Sequence, residues 1–191
     1  AMGADRAIHL ADAAYEGSDA FATARALAAA LKKAGPFDMV WTGREAADDG
    51  MSVVGAAIGE YLGIPHVSEV KKLDLAADKS SVTCQSEVEG GTAIVQVRLP
   101  AVLTAQKGLN EPRYASLKGI MMAKKKELLT FTPADLGLTP DQVGKAGSNT
   151  EVLKLEPPPK KQTVGKVLKD LEPVAAAREL VRLLREEAKI V

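Results

Sequence analysis

Asp38-Met39-Val40-Trp41-Thr42, followed by Gly43-Arg44-Glu45-Ala46-Ala47-Asp48-Asp49-Gly50, is the stretch that sets the architecture of this chain. The first five residues form a short apolar run of the kind that makes a buried parallel strand. Gly43 to Gly50 is a polar loop. Met51 to Leu62 then has the apolar spacing of a helix, stopped by Gly63 and Pro65. Strand, glycine-bearing loop and helix in that order make half of a nucleotide-binding α/β unit.

Toward the N-terminus, Ala7–Leu10 reads as a short strand. Ser18–Lys33 reads as a helix with Phe21, Ala24, Leu27, Ala28 and Leu31 at helical spacing. Ser18 is the expected cap, Asp19 sits in the first turn, Gly35 suits the C′ position and Pro36 blocks continuation. Toward the C-terminus, Val67–Leu75, Ser81–Val88 and Thr92–Leu99 show partial strand alternation, and Glu89-Gly90-Gly91 signals a hairpin. Ala101–Ala105 repeats the apolar character of the Asp38 run, and Glu127–Phe131 suits one more strand. The expected fold is therefore α/β, a Rossmann-like, mainly parallel sheet with an antiparallel excursion. Residues 1–131 make the nucleotide-binding domain. Residues 132–191 are an extension broken by Pro133, Pro140, Gly144 to Ser148 and Pro157-Pro158-Pro159. Within it, Thr150–Leu155 suits an isolated strand, and Pro157-Pro158-Pro159-Lys160-Lys161 an extended linker. Glu172–Ala188 is an amphipathic helix in need of another surface.

Composition excludes several classes. The chain has 191 residues, with 25 Lys plus Arg against 25 Asp plus Glu, so it carries no net charge and does not bind nucleic acid by bulk positive charge. Hydrophobic residues at 46% are too many for a disordered chain. No apolar run reaches the ~18 residues of a membrane span. One cysteine, Cys84, allows no intrachain disulfide and no cysteine cluster for zinc, and His9 and His66 are too few for a metal site. Trp41 is expected in the core, Cys84 as a half-buried strand residue, and His66 as a structural residue at a loop–strand junction.

Two stretches carry chemistry. At Gly43–Val54, a helix N-terminus offers unpaired N–H groups and partial positive charge to a phosphate. Gly43 and Gly50 allow close backbone approach, Ser52 offers a hydroxyl, and Asp48 or Asp49 suits ribose hydroxyls. It is neither a P-loop nor a dinucleotide fingerprint. A plainer reading has Asp48 and Asp49 capping the helix with Gly50 as turn residue. The second stretch runs from Leu109 to Lys126. Arg113 and Tyr114 are residue types favoured at recognition surfaces, and Leu117, Ile120, Met121 and Met122 lie beside Lys124-Lys125-Lys126. On the residues alone a core-facing Leu117, Ile120 and Met121 is favoured over an exposed anchor.

Leu109-Asn-Glu-Pro-Arg-Tyr-Ala-Ser-Leu-Lys-Gly-Ile-Met-Met-Ala-Lys-Lys-Lys126 resembles the signature of the β subunit of electron transfer flavoproteins. Gly43-Arg-Glu-Ala-Ala-Asp-Asp49 with Val54-Gly55 and Glu60-Tyr-Leu-Gly-Ile-Pro65 is similar to that family's adenine-nucleotide loop and helix. Glu87-Val-Glu-Gly-Gly91 and Leu99-Pro-Ala-Val-Leu103 fit as well. The resemblance places Ala1–Arg6 well inside such a subunit, so opening strands of the family are expected to be absent from this chain.

The resemblance implies an adenine-nucleotide α-hydrolase-like fold and an electron carrier rather than an enzyme. The partner is an α subunit holding most of a redox-active FAD. Electrons arrive from flavoprotein dehydrogenases such as acyl-CoA dehydrogenases and leave to a quinone oxidoreductase. The compartment would be the bacterial cytoplasm or, in a eukaryote, the mitochondrial matrix. Gly43, Arg44, Glu45, Ala46, Asp48, Asp49, Gly50, Met51, Ser52, Val53 and Val54 become the AMP loop. Val53 and Val54 stand where the family often has Gln and Thr, and bifurcating relatives hold a second FAD in place of AMP. Arg113, Tyr114, Leu117, Ile120, Met121 and Met122 become the docking segment, with Leu117 now an exposed anchor. Glu87 falls on a position that pairs with the α subunit near the flavin, and the tail from Thr132 wraps that subunit. Two rival readings are a free-standing ATP- or AMP-binding module without redox role, and a hydrolase or transferase using Asp48 and Asp49. The latter is poorly supported without a histidine, metal or nucleophile.

Overall fold

The computed structural model describes residues 1–159 and 165–190. Lys160 and Lys161 of the expected linker lie outside the described residues. The chain divides into two units, Ala1–Glu151 and Val152–Val191.

The first unit is built from β1 (Arg6–Leu10), α1 (Ala20–Ala34), β2 (Met39–Gly43), α2 (Val54–Leu62), β3 (His66–Leu75), β4 (Ser81–Val88), β5 (Gly91–Arg98), β6 (Ala101–Ala105), α3 (Leu117–Ala123), β7 (Glu127–Phe131) and the short α4 (Gly144–Gly147). Five strands form one sheet in the order β2-β6-β3-β4-β5, while β1 and β7 pair in a separate two-stranded sheet. The β1–β7, β2–β6 and β3–β6 pairings are parallel, and β3–β4 and β4–β5 are antiparallel. Val88 pairs with Gly91 across Glu89-Gly90, and Gly90 adopts φ 77°, which closes the expected hairpin. The result is a Rossmann-like α/β fold with its antiparallel excursion at β3–β5.

Alternation along β6 divides the core. Val102 packs with Ala24 and Ile58 under α1 and α2, with Leu27, Val40 and Leu62 around them. Ala101 and Leu103 face the other way, into a cluster with Val67, Val70, Val82, Cys84 and Val97. Cys84 is fully buried there, not half-buried. Trp41 lies opposite Leu103 on the edge strand β2, on the face away from the helices, and is 42% exposed. The expectation of a core Trp41 is thus corrected: a buried strand register does not bury an edge residue whose face, among the described residues, no helix covers.

α1 is buried on more than one side. Ala20, Ala22, Ala24, Ala26, Ala28 and Ala30 are all buried, an every-second-residue pattern that a single buried stripe does not produce. α2 covers one flank and residues of the 134–147 segment cover the other, with Arg25 donating to the Gln142 carbonyl at 3.2 Å. Small alanines permit both approaches. The cap of α1 is Asp19, not Ser18: the Asp19 carboxylate accepts from Phe21 and Ala22, while Ser18 bonds Tyr15 and Gly144. Gly35 closes the helix at φ −69°, not in the left-handed conformation its C′ assignment implied. Gly63, which ends α2, is left-handed at φ 68°.

The segment from Thr132 to Glu151 belongs to the first unit, and Thr150–Leu155 forms no strand. In the second unit α5 (Pro173–Glu186) has Pro173 at its first turn and no buried residue. Its polar side carries Arg182 bonded to Glu179 and Glu186. Among the described residues no helix is long and apolar enough to cross a membrane.

Candidate functional site

β2 runs into the loop and the loop into α2, so the strand's end and the helix's start frame one cleft of about 270 Å³. Its lining holds Gly43, Arg44, Glu45, Ala46, Asp49, Met51, Ser52, Val53 and Val54, and adds Thr42. Of the expected loop residues, Asp48 and Gly50 stay outside. Thr42 was missed because a threonine ending a strand carries no motif; its position one residue before Gly43 is the only signal.

α2 begins at Val54, not Met51, and no side chain caps it. Asp49 instead accepts from the Met51 N–H at 3.1 Å, and Asp48 from the Asp49 N–H at 3.0 Å. These bonds shape the loop and leave the first N–H groups of α2 without a side-chain cap beside the cleft, so the plainer capping reading is corrected. Gly50 serves as the turn residue at φ 60° and bonds back to Ala46. Ser52 has φ 55° and donates to Glu45 at 2.6 Å, so its hydroxyl is engaged within the loop. A Cβ on Gly55 would collide with Thr42 Oγ1 and Thr104 Cγ2. Glycine at this position lets the start of α2 sit directly on β2 and β6. Uncapped N–H groups, an engaged but adjacent Arg44 and a small volume suit the phosphate and sugar of a mononucleotide.

The rim of the cleft continues as a polar chain. Arg44 Nε lies 3.8 Å from Glu45 and 3.7 Å from Glu69. The Gln106 amide donates to Glu69 at 3.3 Å and to Glu87 at 2.7 Å, and Lys71 pairs with Glu87 at 2.6 Å. Hydrogen bonds from Lys71 and then Gln106 hold the Glu87 carboxyl below the usual carboxylate range. Glu69 and Gln106 were missed by the sequence reading. One signal existed: Val67 and Val70 are both buried in the same cluster, three residues apart, which strict alternation forbids and a β-bulge explains.

The second stretch is a surface. Ser116 caps α3 by accepting from Gly119, and no residue of α3 is buried. Tyr114 is wholly exposed, Leu117 is 76% exposed, and Ile120, Met121 and Met122 are exposed too. The residue-only preference for a core-facing Leu117, Ile120 and Met121 is therefore corrected. Arg113 donates to the Met2 carbonyl at 3.3 Å, tying this segment to the chain's start.

A family model for the electron transfer flavoprotein domain matches residues 1–136. "Electron transfer flavoprotein subunit beta" of Mycobacterium tuberculosis strain H37Rv is 40% identical over 166 residues, covering 87% of this chain and 62% of that protein. The protein of the same name from Syntrophomonas wolfei is 40% identical over 190 residues, covering 100% and 69%. The "Caffeyl-CoA reductase-Etf complex subunit CarD" of Acetobacterium woodii is 38% identical over 84% of this chain and 61% of its own length. The chain thus spans about 62% of the length of the mycobacterial relatives it matches.

Proposed function

From the chain's membership of the electron transfer flavoprotein family, which the match over residues 1–136 establishes, we propose that it serves as a β subunit in electron transfer. In this reading it is a carrier component, not itself an enzyme. The flavin, an FAD held mainly by an α subunit, supplies the electron chemistry, and this chain's residues bind, orient and dock. The observation that carries the reading is the presence, on one chain, of a cleft that suits a mononucleotide's phosphate and sugar at an uncapped helix start and of an apolar helix, α3, with no buried residue.

The cleft takes AMP, its phosphate at the N–H groups opening α2 and its ribose near Asp49. Val53 and Val54 put apolar side chains where hydroxyl or amide groups would add bonds, so affinity rests on backbone donors. A second FAD in the cleft is the alternative occupant, and the A. woodii relative's name, with its reductase–Etf complex, keeps that arrangement in view. Leu117, flanked by Met121 and Met122, is the anchor for flavoprotein dehydrogenases such as acyl-CoA dehydrogenases. Lys124, Lys125 and Lys126 steer acidic partners to it. Onward transfer goes to a quinone oxidoreductase. Glu87 faces the α subunit near the flavin, and the stretch from Val152, with the unburied α5, is the arm that wraps it. The compartment is the bacterial cytoplasm or the mitochondrial matrix.

Co-expression with a candidate α subunit, then denaturation and chromatography of the released nucleotides, tests this reading. One FAD and one AMP per heterodimer is the expected result, and two FAD would mark the bifurcating arrangement. Flavin absorbance is expected only with the α subunit present. A homodimer that binds ATP unaided and gathers no flavin with any α subunit would overturn the proposal in favour of a free-standing nucleotide module.

A further inference from the structure

β3 breaks its register with β6 between Val67 and Val70, and the break is held from both neighbouring strands. Buried Thr104 of β6 accepts the Glu69 N–H at 2.8 Å, and buried Ser86 of β4 donates to the Ser68 carbonyl at 2.6 Å. Glu69 itself has φ 54°, a left-handed conformation that a glutamate adopts only under constraint. Such a bulge re-aims a side chain. Here it sends a half-buried carboxylate to Arg44 at 3.7 Å, with Gln106 fixing the other oxygen at 3.3 Å.

Among the described residues Arg44 is the one cationic side chain lining the cleft, and it meets two carboxylates, Glu45 and Glu69. Asp49 adds a third carboxylate to the neighbourhood. A single phosphate at the start of α2 has backbone donors to itself. A second phosphate would have to be met by Arg44, whose charge is already answered. We propose that Glu69 is a positioning and specificity residue: by holding Arg44 it makes the cleft a site for a nucleotide monophosphate and disfavours a diphosphate. This rests on the reading of the cleft as a mononucleotide site.

The size of the effect follows from Coulomb's law. One unit of negative charge removed from the surroundings of a second phosphate, at a partly exposed site, changes affinity for that extra ligand charge by about three- to tenfold.

The test is calorimetric titration of the full chain with AMP and with ADP, for the parent, Glu69→Gln and Glu69→Gly. The Gln variant keeps size and removes charge. The Gly variant also removes charge but is at ease at φ 54°, so it stays folded if the Gln variant does not. In both, ADP affinity relative to AMP is expected to rise about three- to tenfold. Adding Arg44→Gln to either should return the ratio to the parent's, which a merely structural role for Glu69 would not produce. An unchanged ADP-to-AMP ratio in a folded variant overturns the proposal while leaving the cleft reading intact. Failure of the parent to bind AMP at all overturns the cleft reading and the proposal with it.

Discussion

Asp19 and Asn149 lie 130 residues apart in sequence and meet at 2.7 Å, where the Asp19 carboxylate accepts the Asn149 N–H. The same oxygen accepts from the Thr150 N–H at 2.9 Å and the Thr150 hydroxyl at 3.1 Å. The other oxygen caps α1 through Phe21 and Ala22. One carboxylate thus starts a helix and fastens the end of the first unit to it. Asp19→Ala is expected to cost about 2–3 kcal/mol, a cap plus charge-assisted bonds lost together. Asp19→Asn should recover only part, since its amide places donors against donors. Urea midpoints measure both, and a loss within the scatter of neutral surface variants would refute the double role.

Acid should expose the same group. Burial tends to raise the Asp19 carboxyl, but the bonds from Ala22, Asn149 and Thr150 outweigh it and hold the group below the ordinary carboxylate value. A folded-state pKa lowered below its unfolded value contributes stability that is complete above the ordinary value of about 4 and drains away as pH falls through the folded one. Unfolding free energy should therefore decline as pH drops below about 4, and Asp19→Ala should flatten part of that decline. Parallel slopes for parent and variant would contradict the assignment.

The stretch from Asp38 to Leu62 was legible because strand, loop and helix differ sharply in pattern, and the hairpin at Gly90 because its turn chemistry is local. Other features were not, for physical reasons. Whether Asp19 or Ser18 caps α1 depends on partners at Asn149 and Gly144, which local sequence does not reveal. Trp41 was misplaced because neither its edge position nor the uncovered face is encoded in its own strand. The loop that lines the cleft has a local sequence pattern, but Glu69 and Gln106 reach its rim through a bulge whose trace in the sequence is only the odd spacing of Val67 and Val70.

Gly55→Ala should damage the cleft from beneath. The added methyl meets Thr42 Oγ1 and Thr104 Cγ2, both fixed on strands, so the start of α2 must lift. Overpacking of this kind costs about 1–3 kcal/mol. Thr104→Ser removes the clashing methyl and keeps the hydroxyl that accepts from Glu69. The double variant should recover part of the stability and part of the AMP affinity proposed for the cleft. A single Gly55→Ala variant as stable as the parent, with intact AMP binding, would show that α2 does not need this close approach.

Cys84 should be silent until the sheet opens. It is fully buried among Val67, Val70, Val82 and Leu103, and burial pushes its thiol up from the ordinary value. Thiol reagents need the thiolate, so labelling at neutral pH should be slow in the native chain and fast in denaturant. Cys84→Ser should cost about 1–3 kcal/mol by placing a hydroxyl in an apolar cluster. Rapid native labelling would mean that β4 is not held as described.

Leu117 offers the sharpest separation of stability from docking. At 76% exposure on a helix without a buried residue, its side chain contributes little to the fold, so Leu117→Ala should leave stability within about 0.5 kcal/mol of the parent. An apolar anchor seated in a partner's pocket behaves differently: truncating one typically costs about 2 kcal/mol or more, which is over tenfold in a binding-limited rate. Under the proposed docking role, Leu117→Ala in a heterodimer formed with an α subunit should therefore slow electron acceptance from a flavoprotein dehydrogenase by about tenfold or more with flavin content unchanged. Lys118→Ala on the same helix is the control for a change of surface alone. Raising salt should slow the parent and the Leu117 variant alike, because the steering charge proposed for Lys124, Lys125 and Lys126 is common to both. Equal rates for Leu117→Ala and the parent would strip the leucine of its role and leave α3 as an apolar surface serving something else.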